Sequence, residues 1–266
     1  MVRIALVADL HFGRIRKPSL PEALVRAIHE SGAQGTIVAG DITQRARFRE
    51  FRAYSAWSDA LHVPQLLIAG NHDVYPWWFV WMRLLQPLGR YFAQTGAPSR
   101  PTVQWQSVRV RGEQTATGRT IQAGRWSAPP TAPLPRVAPW EVLALHHPPF
   151  PHTGNHHQVI PGADIHLRSY EIDVCVGGHL HIPMVSVFNH RRAAGQRPIL
   201  LVQTGTCLSD RGRGAFAGRN CYHDLLFDEE TVHVTEYHYR DEADQFVPAR
   251  RWTYDRPTGV LRADDD

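Results

Sequence analysis

The chain has 266 residues, 43% of them hydrophobic and 20% charged, an ordinary globular composition with length enough for one domain over residues 1–266. No run approaches the roughly 18 consecutive apolar residues that a membrane-spanning helix needs, so no membrane partner is expected. The net charge of +4 and pI near 9.2 admit an anionic substrate or nucleic acid, yet Lys17 is the only lysine and the arginines are scattered rather than blocked.

In chain order, "MVRIALVADLHF" is apolar for only a few residues and reads as a first core strand, not an export signal. Strand-length apolar runs follow that opening: 3–8, 35–39, 65–69, 141–145 and 173–176, rich in Ile, Val and Leu and expected to be buried on both faces. Between the first two, "SLPEALVRAIHESG" predicts a helix with a capping box at Ser19 and Glu22, Pro21 in its first turn and Gly32 at its end. Between the next two, Phe48, Phe51, Tyr54 and Leu61 recur at helical spacing. Arg45, Arg47, Arg49 and Arg52 then form a solvated face. Strand, helix, strand, helix, strand implies a largely parallel sheet.

Residues 74–140 read as an irregular, aromatic- and Pro-rich insertion. Its Trp-rich segment 74–92 is expected to be helical and to cover the core; a homodimer surface or a substrate wall is the alternative. The proline run 126–140 is expected to be an extended surface connection. Beyond it, 184–190, 198–205, 222–228 and 231–239 read as successive strands, placed in a second, mostly antiparallel sheet. The expected fold is thus an α/β sandwich of two sheets with helices outside, α/β/β/α. Cys175, Cys207 and Cys221 are an odd, scattered set that suits core packing in a reduced, cytoplasmic setting.

Chemistry concentrates where the buried runs end. Asp9 and His11 follow the first, Asp41 the second, and Asn71, His72 and Asp73 the third. His146 and His147 follow the fourth; His179 and His181, in "GGHLH", follow the fifth. Ligand sites in open α/β sheets form outside the carboxyl ends of strands. In extended chain His179 and His181 would point to the same side. The oxygen and imidazole donors are too many for one ion, and suit two divalent ions, Mn, Fe or Zn, better than calcium or a thiolate zinc site.

D-x-H, G-D, G-N-H-D, H-x-P and G-H-x-H, in that order over residues 9–181, resemble the calcineurin-like metallophosphoesterases. The stretch "VQTGTCLSDRGRG…NCYHDLLFD" further resembles their bacterial branch containing the class III cyclic-nucleotide phosphodiesterases. That branch carries a helix before the H-x-P strand, where this chain has its proline run. The resemblance implies one metal on Asp9, His11, Asp41 and His181, and a second on Asp41, Asn71, His146 and His179. Of the paired histidines, the resemblance implies His146 rather than His147 as the ligand. It implies a phosphodiesterase acting on a small anionic diester, by in-line attack of a hydroxide held between the two ions.

His72 is the expected general acid or phosphoryl stabiliser, with Asp73 orienting it. Arg211 and Arg213 are candidates for the substrate's anionic end, and His152, His156 and His157 for the pocket wall. Two other readings stay open. One is a metal-dependent nuclease, which the basic pI favours and the lack of aromatic–basic interleaving disfavours. The other is a non-catalytic scaffold on the same fold.

Overall fold

The computed structural model describes residues 1–120, 123–126, 135–149, 160, 167, 171–188 and 197–264; His152, His156, His157 and residues 127–134 of the proline run lie outside them. The first half follows the expected alternation. Strand β1 (Val2–Val7), helix α1 (Leu20–Ser31), strand β2 (Gly35–Ala39), helix α2 (Phe48–Leu61) and strand β3 (Gln65–Ile68) form in turn. Helices α3 (Val80–Leu85) and α4 (Gly89–Thr95) come next. A hairpin of β4 (Thr102–Trp105) and β5 (Val108–Gly112) then gives regular structure to the stretch read as irregular. The remaining strands are β6 (Trp140–Ala144), β7 (Val174–Gly177), β8 (Met184–Phe188) and β9 (Ile199–Gln203). After them come β10 (Cys221–Phe227), β11 (Thr231–Arg240), β12 (Gln245–Asp255) and β13 (Val260–Ala263).

The chain forms two sheets, as expected, but they are divided differently. One runs β13-β12-β11-β10-β1-β2-β3 and the other β4-β5-β6-β7-β9-β8. Each is mixed. In the first, β1, β2 and β3 are parallel and β10 joins β1 antiparallel; in the second, β5, β6, β7 and β9 are parallel and β4 and β8 are antiparallel edges. The cause lies in burial. The inner strands are largely buried on both faces, whereas β11 sets buried residues between more open ones and β12 buries only Phe246 and Tyr254, so both can sit outward with one wet face.

The two sheets meet through Ile4, Leu6, Ile37 and Ile68 on one side and Val142, Val174, Val176, Leu200 and Val202 on the other. Trp140 closes the seam, edge-on to Phe227 at 5.5 Å between ring centroids. On the far face of the first sheet, Leu24, Ile28, Phe51, Tyr54, Trp57 and Leu61 from α1 and α2 cover Ala5, Val7 and Val38. Phe48, counted in that stripe from the sequence, is exposed instead.

Two local expectations fail for visible reasons. Helix α1 has no side-chain cap, because Ser19 Oγ donates to Asp244 Oδ1 at 2.5 Å; Gly32 does end it in the left-handed conformation, φ 71. The segment 74–92 does not form one core-covering helix. It is split at Pro87, no side chain of α3 is buried, and only Val74, Leu88 and Tyr91 enter the core.

One ionic cluster within the first sheet yields a stability prediction. Glu236 on β11 is buried, with Arg250 Nη2 at 2.7 and 3.0 Å, His223 Nε2 at 3.5 Å, and His238 hydrogen-bonded to it. Burial opposes its ionisation, but His223, His238 and Arg250 hold its carboxyl well below the usual range. A depressed carboxyl contributes stability above its unfolded pKa and loses it as pH falls below about 4.5. Glu236→Gln is expected to cost about 2 kcal/mol at pH 7 and to flatten the acid-side decline. Urea midpoints at pH 7 and pH 4 check this, and parallel declines in both proteins would count against it.

Candidate metal centre

The parallel strands of both sheets end at one place, and the ends are stitched together across the seam. Asp9 N–H donates to the Gly40 carbonyl (3.0 Å), His11 N–H to Asp41 O (2.9 Å) and Gly178 N–H to His146 O (3.1 Å). Two bonds cross between sheets: His146 Nδ1–H to Ala39 O (2.8 Å) and His179 N–H to Asp9 Oδ2 (2.8 Å). The glycines are needed where backbone crowds a carboxylate. A Cβ on Gly70 would collide with Asp41 Oδ1, and one on Gly178 would fall 2.7 Å from Asp9 Oδ2.

Asp9, His11, Asp41, His179 and His181 all have positive φ, between 47° and 76°. Left-handed backbone costs a non-glycine residue about 1 kcal/mol or more, and the surrounding hydrogen bonds must offset it. This changes how "GGHLH" works. Strand β7 stops at Gly177, and His179 and His181 diverge from consecutive turns instead of pointing together from a strand.

They enter two neighbouring clusters. Asp9, His11, Asp41 and His181 present ligand atoms within 4.8 Å of one another, and so do His146, His147 and His179. In the first, His181 Nε2 is 3.2 Å from Asp9 Oδ1 and 3.4 Å from His11 Nε2. In the second, Asn71 Oδ1 lies 3.2 Å from His146 Nε2 and 2.9 Å from His179 Nδ1. Asp41 reaches both, with Oδ2 at 3.6 Å from His11 Nε2 and Oδ1 at 3.4 Å from His146 Nε2.

The donor set fits divalent cations. Asp9 and Asp41 are buried, and among the described residues their only ion-pair partners are imidazoles. Asp9 Oδ1, Asp41 Oδ2 and His179 Nε2 are buried without a hydrogen-bond partner. Uncompensated buried carboxylates are costly, and a cation would satisfy them. Burial alone would raise Asp41, but the imidazoles, His146 foremost, hold its carboxyl well below the usual range. Backbone carbonyls fix two of the rings with Nε2 inward: Ala39 O for His146, and Arg211 O for His181 at 2.9 Å. His147 hydrogen-bonds Thr115 Oγ1 through Nδ1 (2.8 Å), and its ring packs 4.4 Å from that of His179.

His72 stands at the rim of the site. Its ring is edge-on to His11 at 4.8 Å, its N–H donates to Asp41 Oδ1 (2.8 Å), and its Nδ1–H donates to Gln44 O (2.8 Å), leaving Nε2 for chemistry. Asp73 does not orient it. The Asp73 carboxylate instead accepts from the N–H groups of Ile42 (3.2 Å), Thr43 (2.9 Å) and Gly70 (2.9 Å) and from Thr43 Oγ1 (2.8 Å). Burial and the nearby Asp41 charge push its pKa up to about 7 against those donors. Asp73→Ala should therefore cost about 2–4 kcal/mol by stranding buried N–H groups. Unchanged denaturation with lost turnover would restore an orienting role.

A cleft of about 280 Å³ opens on Asn71 and His72 and is lined by Arg14, Gln44, Arg45, Trp77, Trp78 and Arg211 among others. Arg211 is therefore at the site; Arg213 is exposed and does not line this cleft. Arg14, missed in the sequence, holds Asp210 through two bonds, 2.6 and 3.2 Å. Its position three residues after His11 was the available signal.

The calcineurin-like phosphoesterase family model matches residues 2–183, well over half of the chain. The chain belongs to that family. No curated protein gives a significant match to the sequence. Among solved structures, the purple acid phosphatase PPD1 of yellow lupin (Lupinus luteus) is similar with a TM-score of 0.68 at 11% identity, over 96% of this chain and 54% of that one. A single mutant of Vps29 from Entamoeba histolytica gives 0.54 at 10% identity, over 96% and 100%. Vps29 from Chaetomium thermophilum gives 0.51 at 14%, over 97% and 100%. At such identities these likenesses concern the fold alone.

Proposed function

We propose that the protein is a dinuclear metal-dependent phosphodiesterase for small anionic diesters, with cyclic nucleotides as the substrate class its sequence resemblance favours. The observation that carries this reading is Asp41, buried between two donor clusters and within reach of both. Asp9, His11, Asp41 and His181 would hold one ion, and Asp41, Asn71, His146 and His179 the other; Mn, Fe or Zn suits this mixed set. Such ions supply Lewis-acid polarisation of a phosphate oxygen and a water made acidic near neutral pH. Arg14, Arg45 and Arg211 attract the substrate's charge into the cleft. His72 Nε2 faces the departing oxygen or a phosphoryl oxygen. Cys175, Cys207 and Cys221 are buried and not bonded to one another, which suits a cytoplasmic setting.

The test is turnover by metal-free protein of bis-aryl against mono-aryl phosphates, titrated with Mn²⁺. Metal-dependent turnover favouring the diester is expected. Preference for the monoester would refute the diesterase reading, and DNA cleavage suppressed by salt would replace it with the nuclease. One rival reading is a non-catalytic binding scaffold on the same fold. That rival predicts two bound ions with no ester turnover at all.

A further inference from the structure

The sequence from Trp77 to Leu85 places an unusual amount of apolar surface in solvent. Trp77 (71% exposed), Trp81 (75%) and Leu85 (75%) are the most open, with Trp78, Phe79, Val80, Met82 and Leu84 also exposed. Phe48, 55% exposed, extends the patch from α2, because the Arg90 guanidinium stacks over the rings of Phe48 (4.6 Å), Tyr75 (4.7 Å) and Phe79 (5.0 Å). Soluble monomers rarely leave such a contiguous surface uncovered without a use for it.

Charge narrows what could cover it. Between Asp73 and Glu113 the chain has no acidic residue, while Arg83 lies within the patch segment, Arg90 packs against its rings from α4, and exposed Arg45 and Arg49 flank Phe48. Neither Arg83 nor Arg90 pairs with a carboxylate among the described residues; Arg83 donates to Gly118 O (2.9 Å) and Tyr75 O, and Arg90 to Ala46 O (2.7 Å). A second copy of the same patch would bring these arginines against their counterparts. An anionic lipid surface would complement both properties: Trp and Leu enter the headgroup region, and arginines meet lipid phosphates. The patch is also continuous with the site, since Trp77 and Trp78 line the cleft that opens on His72.

We propose that the segment Trp77–Leu85 seats the protein on an anionic bilayer, with the mouth of the metal-site cleft at the lipid headgroups. Absence of a spanning helix among the described residues does not bear on this mode, which needs only an interfacial segment. The orientation of the cleft rests on the proposed function; the docking itself does not.

The experiment is co-sedimentation of the full chain with phosphatidylcholine vesicles, with and without phosphatidylglycerol, beside the double variant Trp81→Ser/Leu85→Ser. Those two side chains are exposed and outside the cleft lining, so the variant should keep the wild-type turnover of a soluble aryl ester. Wild-type protein is expected to partition onto the anionic vesicles, less so at high salt, and the variant to partition about tenfold or more weakly. No partition by the wild type, or equal partition by the variant, would overturn the proposal. So would light scattering that shows a wild-type dimer and a variant monomer without vesicle binding, which would make the patch a subunit contact. Binding is read without turnover, so failure of the esterase reading leaves this outcome separately visible.

Discussion

Asp41→Asn is expected to retain no more than one divalent ion per chain and to lose diester turnover by about 10³-fold. The substitution is nearly isosteric. The His72 N–H that donates to Asp41 Oδ1 at 2.8 Å keeps an oxygen acceptor in the amide, and the Gly70 backbone, which crowds the carboxylate, needs no adjustment. What disappears is the negative charge at the carboxylate that reaches both His11 and His146. Several kcal/mol of charge stabilisation at the reacting phosphate depend on ions held at both places, which sets the expected loss. Metal content per chain after gel filtration, measured beside kcat, separates the possibilities. Two ions retained with low turnover would mean that Asp41 acts on the substrate rather than between the ions. Two ions retained with normal turnover would remove it from the centre.

Much of this site was legible because each buried run ends in a glycine or a polar residue of ligand type, and parallel strands bring such ends together. The convergence of Asp9, Asp41, Asn71, His146 and His181 therefore follows from strand assignment alone. The left-handed turns at Asp9, His11, Asp41, His179 and His181 were not legible. Asp and His tolerate that conformation without announcing it, and what imposes it includes bonds such as His179 N–H to Asp9, 170 residues apart. The role of Asp73 escaped for a similar reason: adjacency to His72 suggested partnership, but its carboxylate faces a loop 30 residues earlier. Sheet membership was hidden too. β10 pairs with β1 from the other end of the chain, and nothing local distinguishes it from a strand of the second sheet. Finally, an apolar segment is read as core by default. Only the packing shows that α3 has no inward face, and exposure there became the most informative departure from expectation.

His72→Ala tests the chemistry rather than the architecture. It is expected to keep both ions, because the side chain stands beside the ligands without joining either cluster, and to lower kcat by about 10²–10⁴-fold. The loss should depend on the leaving group. Burial lowers the His72 pKa, with Asp41 pulling the other way, so its imidazolium is a minor but strong acid at neutral pH. An acid of that kind matters most when the departing oxygen is basic. With Nδ1–H tied to Gln44 O, the proton would leave from Nε2, on the cleft side. A nitrophenolate departs without protonation, whereas an alkoxide does not, so the variant should lose far more on an alkyl ester than on a nitrophenyl ester. An equal loss on both would reassign His72 to holding the phosphoryl group, since that contact is the same whichever alcohol departs. Loss of metal along with turnover would make the His72 ring a support for the metal centre, because the backbone N–H to Asp41 survives in the variant.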